Sequence, residues 1–273
     1  MSVLSRRIAA PLSAFALLGL ASCSKPVPAG NPRSSEFYWT AARETWAAGN
    51  YVKTADHLDR LLEDHNEYSA RAIPWSLVLT SGMAGGYIDL ADHYAAGARA
   101  RKANGLEFRR KATEYRTIAS SLALRFAQTV DKLDQMPTGS VQLAFELPNG
   151  NAAPPVLLGK VANGIELPPA DAEEVREAAI RRSILLTACL VAGAPNDLAK
   201  TEHLLSRATA LTPRATFAAA LSQMLTRQSS MYTRDKLDEP AKLASLKQRA
   251  QTVVNWAGQS GTAMVIDPRK GSQ

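Results

Sequence analysis

The groups of this chain best suited to nucleophilic or metal chemistry are two thiols and four imidazoles: Cys23, Cys189, His57, His65, His93 and His203. Cys23 follows the apolar stretch "LGLAS" at 18–22 and precedes Ser24-Lys25-Pro26. A thiolate there is a strong enough nucleophile to accept a transferred group. Cys189 sits inside the apolar run "ILLTACLVAG", where a free cysteine acts as a small buried hydrophobe. No two histidines stand at a metal-binding spacing such as H-E-x-x-H. The best polar cluster is Asp89, Asp92 and His93 in "YIDLADHY". Asp89 and His93, four residues apart, share a helical face and could share a metal ion or a proton. Two such groups make an incomplete metal site, and a solvated surface pair is the competing reading. The sequence has no G-x-S-x-G, P-loop or dinucleotide fingerprint, and "SGMAGGY" at 81–87 lacks phosphate-loop spacing. The expectation is a protein without catalytic residues, metal or cofactor.

The surroundings of Cys23 define its chemistry. Arg6 and Arg7 precede an apolar run from Ile8 to Leu20, and the small residues Ala21 and Ser22 follow. That is the order of a secretory signal. The run is too short for a membrane span of ~20 residues, and Pro11 interrupts it. Leu20-Ala21-Ser22-Cys23 resembles the lipobox of bacterial lipoproteins. The resemblance implies that the Cys23 sulfur receives a diacylglyceryl group, that cleavage makes Cys23 the first residue, and that its amine is acylated. Several acyl chains at ~0.8 kcal/mol per buried CH₂ make such an anchor permanent. Ser24 after the cysteine, by resemblance to enterobacterial sorting, favours the outer membrane. Ser5-Arg6-Arg7 also resembles the start of a twin-arginine export signal, although Ile8, Ala9 and Ala10 fit it poorly.

The 273-residue chain has 32 basic and 25 acidic residues, a net charge of +7. Loss of residues 1–22 removes Arg6 and Arg7, lowering the surplus to about +5 and leaving ~250 residues, enough for one large or two small domains. Nucleic acid is not an expected partner for an exported, lipid-anchored chain. The one dense basic patch is Arg99, Arg101, Lys102, Arg109, Arg110 and Lys111. It straddles Asn104-Gly105, a helix end where the dipole favours cations; an anionic lipid or polyanion contact is the alternative. With Cys23 acylated, Cys189 has no partner for a disulfide. Residues 23–35 form the lipidated cysteine and a Pro/Gly/Ser-rich tether, and 258–273 a loose tail.

The elements between are helical. Tyr51, Ala55, Leu58 and Leu62 recur at helical spacing after Gly49-Asn50, and Pro74 can open the next helix. There Trp75, Leu79, Gly82, Gly86, Leu90 and Tyr94 share a face. Ala112, Tyr115, Ala119, Leu122, Phe126, Val130 and Leu133 form a second long stripe. Later helices are expected at about 171–191, with Asp171, Glu173 and Glu174 in the first turn, and at about 197–211, 214–232 and 240–256. Val141, Leu143, Phe145 and Leu147 alternate with Gln142, Ala144 and Glu146, the period of a half-buried strand. Asn163-Gly164 between Val161 and Ile165 signals a hairpin. The predicted organisation is all-α: helical hairpins over 36–136, a β-like insertion or ordered loop over 137–170, and further helices over 171–257.

Two segments resemble tetratricopeptide repeats. One places Thr201, Leu205, Ala208 and Pro213 as in the second helix of that repeat, after Leu185, Ala188, Cys189 and Ala192 in the first. The other runs through Tyr38, Ala41, Ala42, Thr45, Gly49, Tyr51, Thr54, Leu58, Leu61 and Asn66. The resemblance covers about a quarter of the chain and implies an array of antiparallel helix hairpins. In plan it is also similar to lipoproteins that assist outer-membrane β-barrel assembly and to the periplasmic helical component of some solute transporters. It implies a membrane-anchored scaffold that binds a protein partner in the cell envelope, facing the periplasm. The other function is a carrier for a small apolar or amphipathic ligand, held in a cavity lined by Trp75, Tyr87, Tyr94, Tyr115 and Phe126, with Gly82 and Gly86 leaving room beside them. The competing reading of that aromatic stripe is plain core, and that of Gly82, Gly85 and Gly86 is close helix–helix contact.

Overall fold

The computed structural model describes residues 34–101, 105–148, 155–207 and 210–258. The expected signal segment, Cys23 and most of the expected tether lie outside these residues, as do Lys102, Asn104, Ala208 and the residues beyond Gly258. Helix α1 spans Ser35–Ala47. The expected tether stops short of residue 35, because the Ser34 hydroxyl accepts the Phe37 N–H at 3.1 Å and caps the helix. Gly49, at φ +73°, turns the chain, and Asn50 caps α2 (Tyr51–Leu61) by accepting the Lys53 N–H. Thr45 and Thr54 hydroxyls meet at 3.1 Å between the two helices.

Helix α3, Ser69–Ala100, is 32 residues long. Pro74 lies inside it rather than opening it. The start is set five residues earlier by an interlocked turn. Asn66 donates its side-chain N–H to the Leu61 and Asp64 carbonyls and accepts the Tyr68 N–H, and the Ser69 hydroxyl accepts the Asn66 N–H. The proline ring forfeits only the bond to the Ala70 carbonyl. From Ala72 to Ile88 every residue is buried. A helix apolar or small all round belongs at the centre of a core, and α3 is packed by α2, α4 (Leu106–Val130), α5 (Pro155–Ala162), α6 (Pro169–Val191) and α8 (Arg214–Ser229). The α4 stripe from Ala112 to Val130 is buried as its spacing predicts.

The remaining segments revise the sequence reading in three places. Val141, Leu143 and Phe145 are buried while Glu146 is exposed, so the alternation is real, yet the ladder is short. Strand β1 (Val141–Gln142) pairs antiparallel with β2 (Leu211–Thr212), Val141 opposite Thr212, and the Leu143 N–H extends it to the Ala210 carbonyl at 2.8 Å. The hairpin expected at Asn163-Gly164 is instead the end of helix α5. Gly164 adopts φ +75°, and the Ile165 N–H returns to the Lys160 carbonyl at 2.9 Å. Asn-Gly suits a helix end as well as a tight turn, and here no strand flanks it. Helix α7 runs only Leu198–Leu205, shorter than expected, because 210–212 pair with 141–143. Helix α9 spans Pro240–Gly258 and rests on α8. Among the described residues the body is all-α but for the two-residue strands.

Candidate functional site

The two carboxylates of the polar cluster on α3, Asp89 and Asp92, are tied to other elements. Arg227 reaches across from α8 and donates to the Asp89 carboxylate at 2.8 Å, the Gly85 carbonyl at 3.1 Å and the Ser183 hydroxyl at 3.2 Å. One guanidinium thereby joins α3, α6 and α8. Asp92 pairs with Arg116 of α4 at 3.5 Å and Lys236 at 3.2 Å. The His93 ring bonds its own helix through Nδ1 and the Asp89 carbonyl oxygen at 2.7 Å. Among the described residues no three His, Cys, Asp or Glu side chains are grouped to hold a metal ion. Half-exposed pairs of this kind contribute ~0.2–1 kcal/mol each. The cluster fastens helices.

The five aromatic residues do not enclose one chamber. Tyr87, Tyr94 and Tyr115 form a seam between α3 and α4, with Tyr115 5.7 Å from Tyr87 and 5.5 Å from Tyr94 by ring centroid. Burial pushes the Tyr94 hydroxyl up to about 12, and the Tyr115 hydroxyl beside it adds to the rise. Trp75, about 18 Å away along α3 at 1.5 Å per residue, belongs to a different cluster with Trp39 and Trp46 at 5.5 and 5.6 Å. Phe126 is fully buried in the core. Gly82 and Gly86 mark close contact with α6, and the room a cavity would need is filled: a Cβ on Gly82 would fall 2.6 Å from the Ile184 Cα, and one on Gly86 2.7 Å from the Ile180 Cα. Cys189 is buried, as its apolar run predicts.

An open cleft of about 550 Å³ lies where α1, α2 and the α2–α3 turn meet. Ser35, Tyr38, Arg60, Leu61, Glu63, Asp64 and Asn66 line it. Its rim is mainly acidic and already partly paired: Arg60 meets Glu63 at 2.7 Å, and the Ser35 hydroxyl donates to Glu67 at 3.1 Å. No protein-family model, curated protein or solved structure matches the chain. The cleft was not legible as a site, although "EDHNE" at 63–67 is the densest polar turn of the helical body. Sequence spacing also missed Arg125 of α4, whose guanidinium lies 3.1 Å from Asp56 and 2.7 Å from Asp59 of α2. Burial raises the Asp59 carboxyl, and Arg125 opposes that rise. No helix among the described residues is long and apolar enough to cross a membrane.

Proposed function

We propose that this chain is a lipid-anchored scaffold of the bacterial cell envelope, held by acylated Cys23 on the outer membrane and facing the periplasm. Its body engages a protein partner through the cleft between α1, α2 and the α2–α3 turn. The observation that carries this reading is the position of the cleft. It opens at Ser35, one residue beyond the helix cap where the chain arrives from Cys23, so the anchor would hold the cleft near the membrane. Tethering raises effective concentration, and a micromolar contact of about −8 kcal/mol would suffice there. The α1–α2 and α6–α7 pairs support a tetratricopeptide-like origin of the hairpins. Ala42, Thr54, Leu58 and Leu61 are buried in the first pair, and Ala188, Cys189, Thr201 and Leu205 in the second. The central α3, touching α6 and α8 far along the chain, departs from a simple row of repeats, in which each unit meets only its neighbours. The filled space beside Gly82 and Gly86 favours the scaffold over the ligand carrier.

The test is a photo-crosslinking residue at Tyr38 in cells carrying the intact chain. A crosslinked protein is expected, and reversal of the rim with Glu63→Lys and Asp64→Lys should abolish it. Crosslinks unaffected by that reversal would move the contact elsewhere. Palmitate labelling of the Cys23→Ser chain at the wild-type level would remove the anchor. Turnover of a substrate dependent on Asp89 or His93 would replace the scaffold with an enzyme.

A further inference from the structure

The described ends of α3 and α4 carry basic side chains beside an exposed apolar one, Leu106. Helix α3 ends at Ala100 and α4 begins at Leu106. The end of α5 packs against this tip of the helix pair: a Cβ at Gly97 would meet the Val161 carbonyl oxygen and the Phe108 ring, and Arg101 pairs with Glu166 at 3.3 Å. The ends of these helices carry Arg99, Arg101, Arg109, Arg110, Lys111 and Lys160, against the acids Glu107, Glu114 and Glu166. Of these six cations only Arg101 and Lys111 have an ion pair among the described residues, the latter with Glu114. Large apolar side chains are exposed on these elements: Leu106 at 67% opens α4, Ile165 at 51% follows the end of α5 that packs on α3, and Val156 at 68% lies at the start of α5.

The helix dipole accounts for only part of this. Arg99 lies in the last turn of α3 and Arg101 at its C-cap, where cations are favoured. Arg109, Arg110 and Lys111 lie in the first two turns of α4, where the dipole offers a cation nothing and disfavours the nearest one. Basic side chains around protruding Leu, Ile and Val suit an anionic interface with an apolar layer beneath it. We propose that this tip is a second membrane contact, which binds the surface of an anionic phospholipid bilayer with Arg99, Arg109, Arg110 and Lys160 at the headgroups and Leu106 and Ile165 inserted between them. The proposal adds a lipid-reading surface to the scaffold and does not depend on acylation of Cys23. The two contacts are compatible in one orientation. Residues 23 to 34 span at most ~38 Å, and α3 separates that end from the tip by ~45 Å. A body held at both would lie along the bilayer instead of standing on its tip.

Every described core element lies between residues 34 and 258, so the chain from Ser24 onward contains the folded body and carries no acyl group. Its co-sedimentation with phosphatidylcholine vesicles is compared with that on vesicles containing one-third phosphatidylglycerol. Strong binding is expected only with phosphatidylglycerol, and it should weaken as salt rises from 50 to 300 mM. At about fivefold per cation near an anionic surface, Arg109→Glu with Arg110→Glu should weaken it ~25-fold or more. Leu106→Ser should weaken it further without changing the salt dependence. Both Arg side chains are exposed, so an unchanged circular dichroism melt certifies the fold. Equal binding to both vesicles, or an unchanged affinity in the folded double variant, overturns the proposal. A Leu106→Ser chain that binds like wild type and is fully displaced by a soluble polyanion would assign the tip to polyanions and equally overturn it.

Discussion

Gly86 and Gly159 show how the same residue type carries opposite meanings at two places in one fold. Both lie in helices, where alanine is intrinsically better by ~1 kcal/mol. A Cβ on Gly86 would press 2.7 Å from the Ile180 Cα, whereas none of the described atoms comes within 4 Å of one on Gly159. The first obstacle is backbone, so relief requires α3 and α6 to separate along much of their contact. Overpacking of that kind costs ~1–3 kcal/mol and outweighs the gain in propensity. Gly86→Ala should therefore lower the urea midpoint, while Gly159→Ala should raise stability by about 0.5–1 kcal/mol. Equal shifts for the two variants would mean that α3 and α6 are not in close contact. Gly85 is an intermediate case. Its Cβ would strike the Arg227 guanidinium at 2.5 Å and displace a flexible side chain together with its bond to Asp89.

The seam between α3 and α4 makes a prediction about pH. Burial raises the Tyr87, Tyr94 and Tyr115 hydroxyls above the ordinary tyrosine range, with Tyr94 at about 12. Below pH 10 these groups are neutral in both folded and unfolded chains, and their preference for burial is fully expressed. Above pH 10 the unfolded chain ionises first and gains stability, so the folded state loses ground from pH 10 to about 12. The urea midpoint should stay level from pH 7 to 9 with respect to these groups and fall beyond pH 10. Tyr94→Phe should make that fall shallower by about one proton's worth of slope. The phenolate absorbance near 295 nm should also develop late in the folded protein. A full tyrosine titration centred near pH 10, with circular dichroism unchanged, would show that the seam is open to water.

For the whole molecule, α3 is the shared core of both halves. The N-terminal elements supply α3 and α4, while α6 and α8 cover the other side of α3 and Arg227 clasps it. A fragment of residues 34–136 would leave Gly82, Gly85 and Gly86, which α6 and Arg227 cover, facing water. It should show helical circular dichroism with a broad, weakly cooperative urea transition, and mixing with residues 155–258 should restore a single sharp one. A sharp transition in the isolated fragment would mean that the halves fold independently. Further ties between distant segments point the same way: the β1–β2 ladder, and Arg249 of α9 donating to the Ala127 carbonyl at 3.0 Å and to Asp131 at 2.6 Å.

The local pattern of the chain specified the existence of most helices, because periodic burial and capping are properties of neighbouring residues. The α4 stripe, the buried Cys189 and the alternation through Val141, Leu143 and Phe145 were legible for that reason. Sequence alone also supplied the expectation of lipidation at Cys23, since that chemistry reads four consecutive residues and requires no fold. Where one motif serves two geometries, only tertiary structure decided. Asn163-Gly164 ends a helix because α5 rests on the C-terminal end of α3, and Pro74 is internal because Asn66 and Ser69 start the helix before it. Trp75 and the Tyr87–Tyr94 pair fall in different clusters because a 32-residue helix carries residues of one face far apart. Asp89 and His93 were visible as a pair, but Arg227 lies 138 positions from Asp89 in the chain. Nothing in local spacing can bring such a cation to a carboxylate; the packing of α8 across α3 and α6 does.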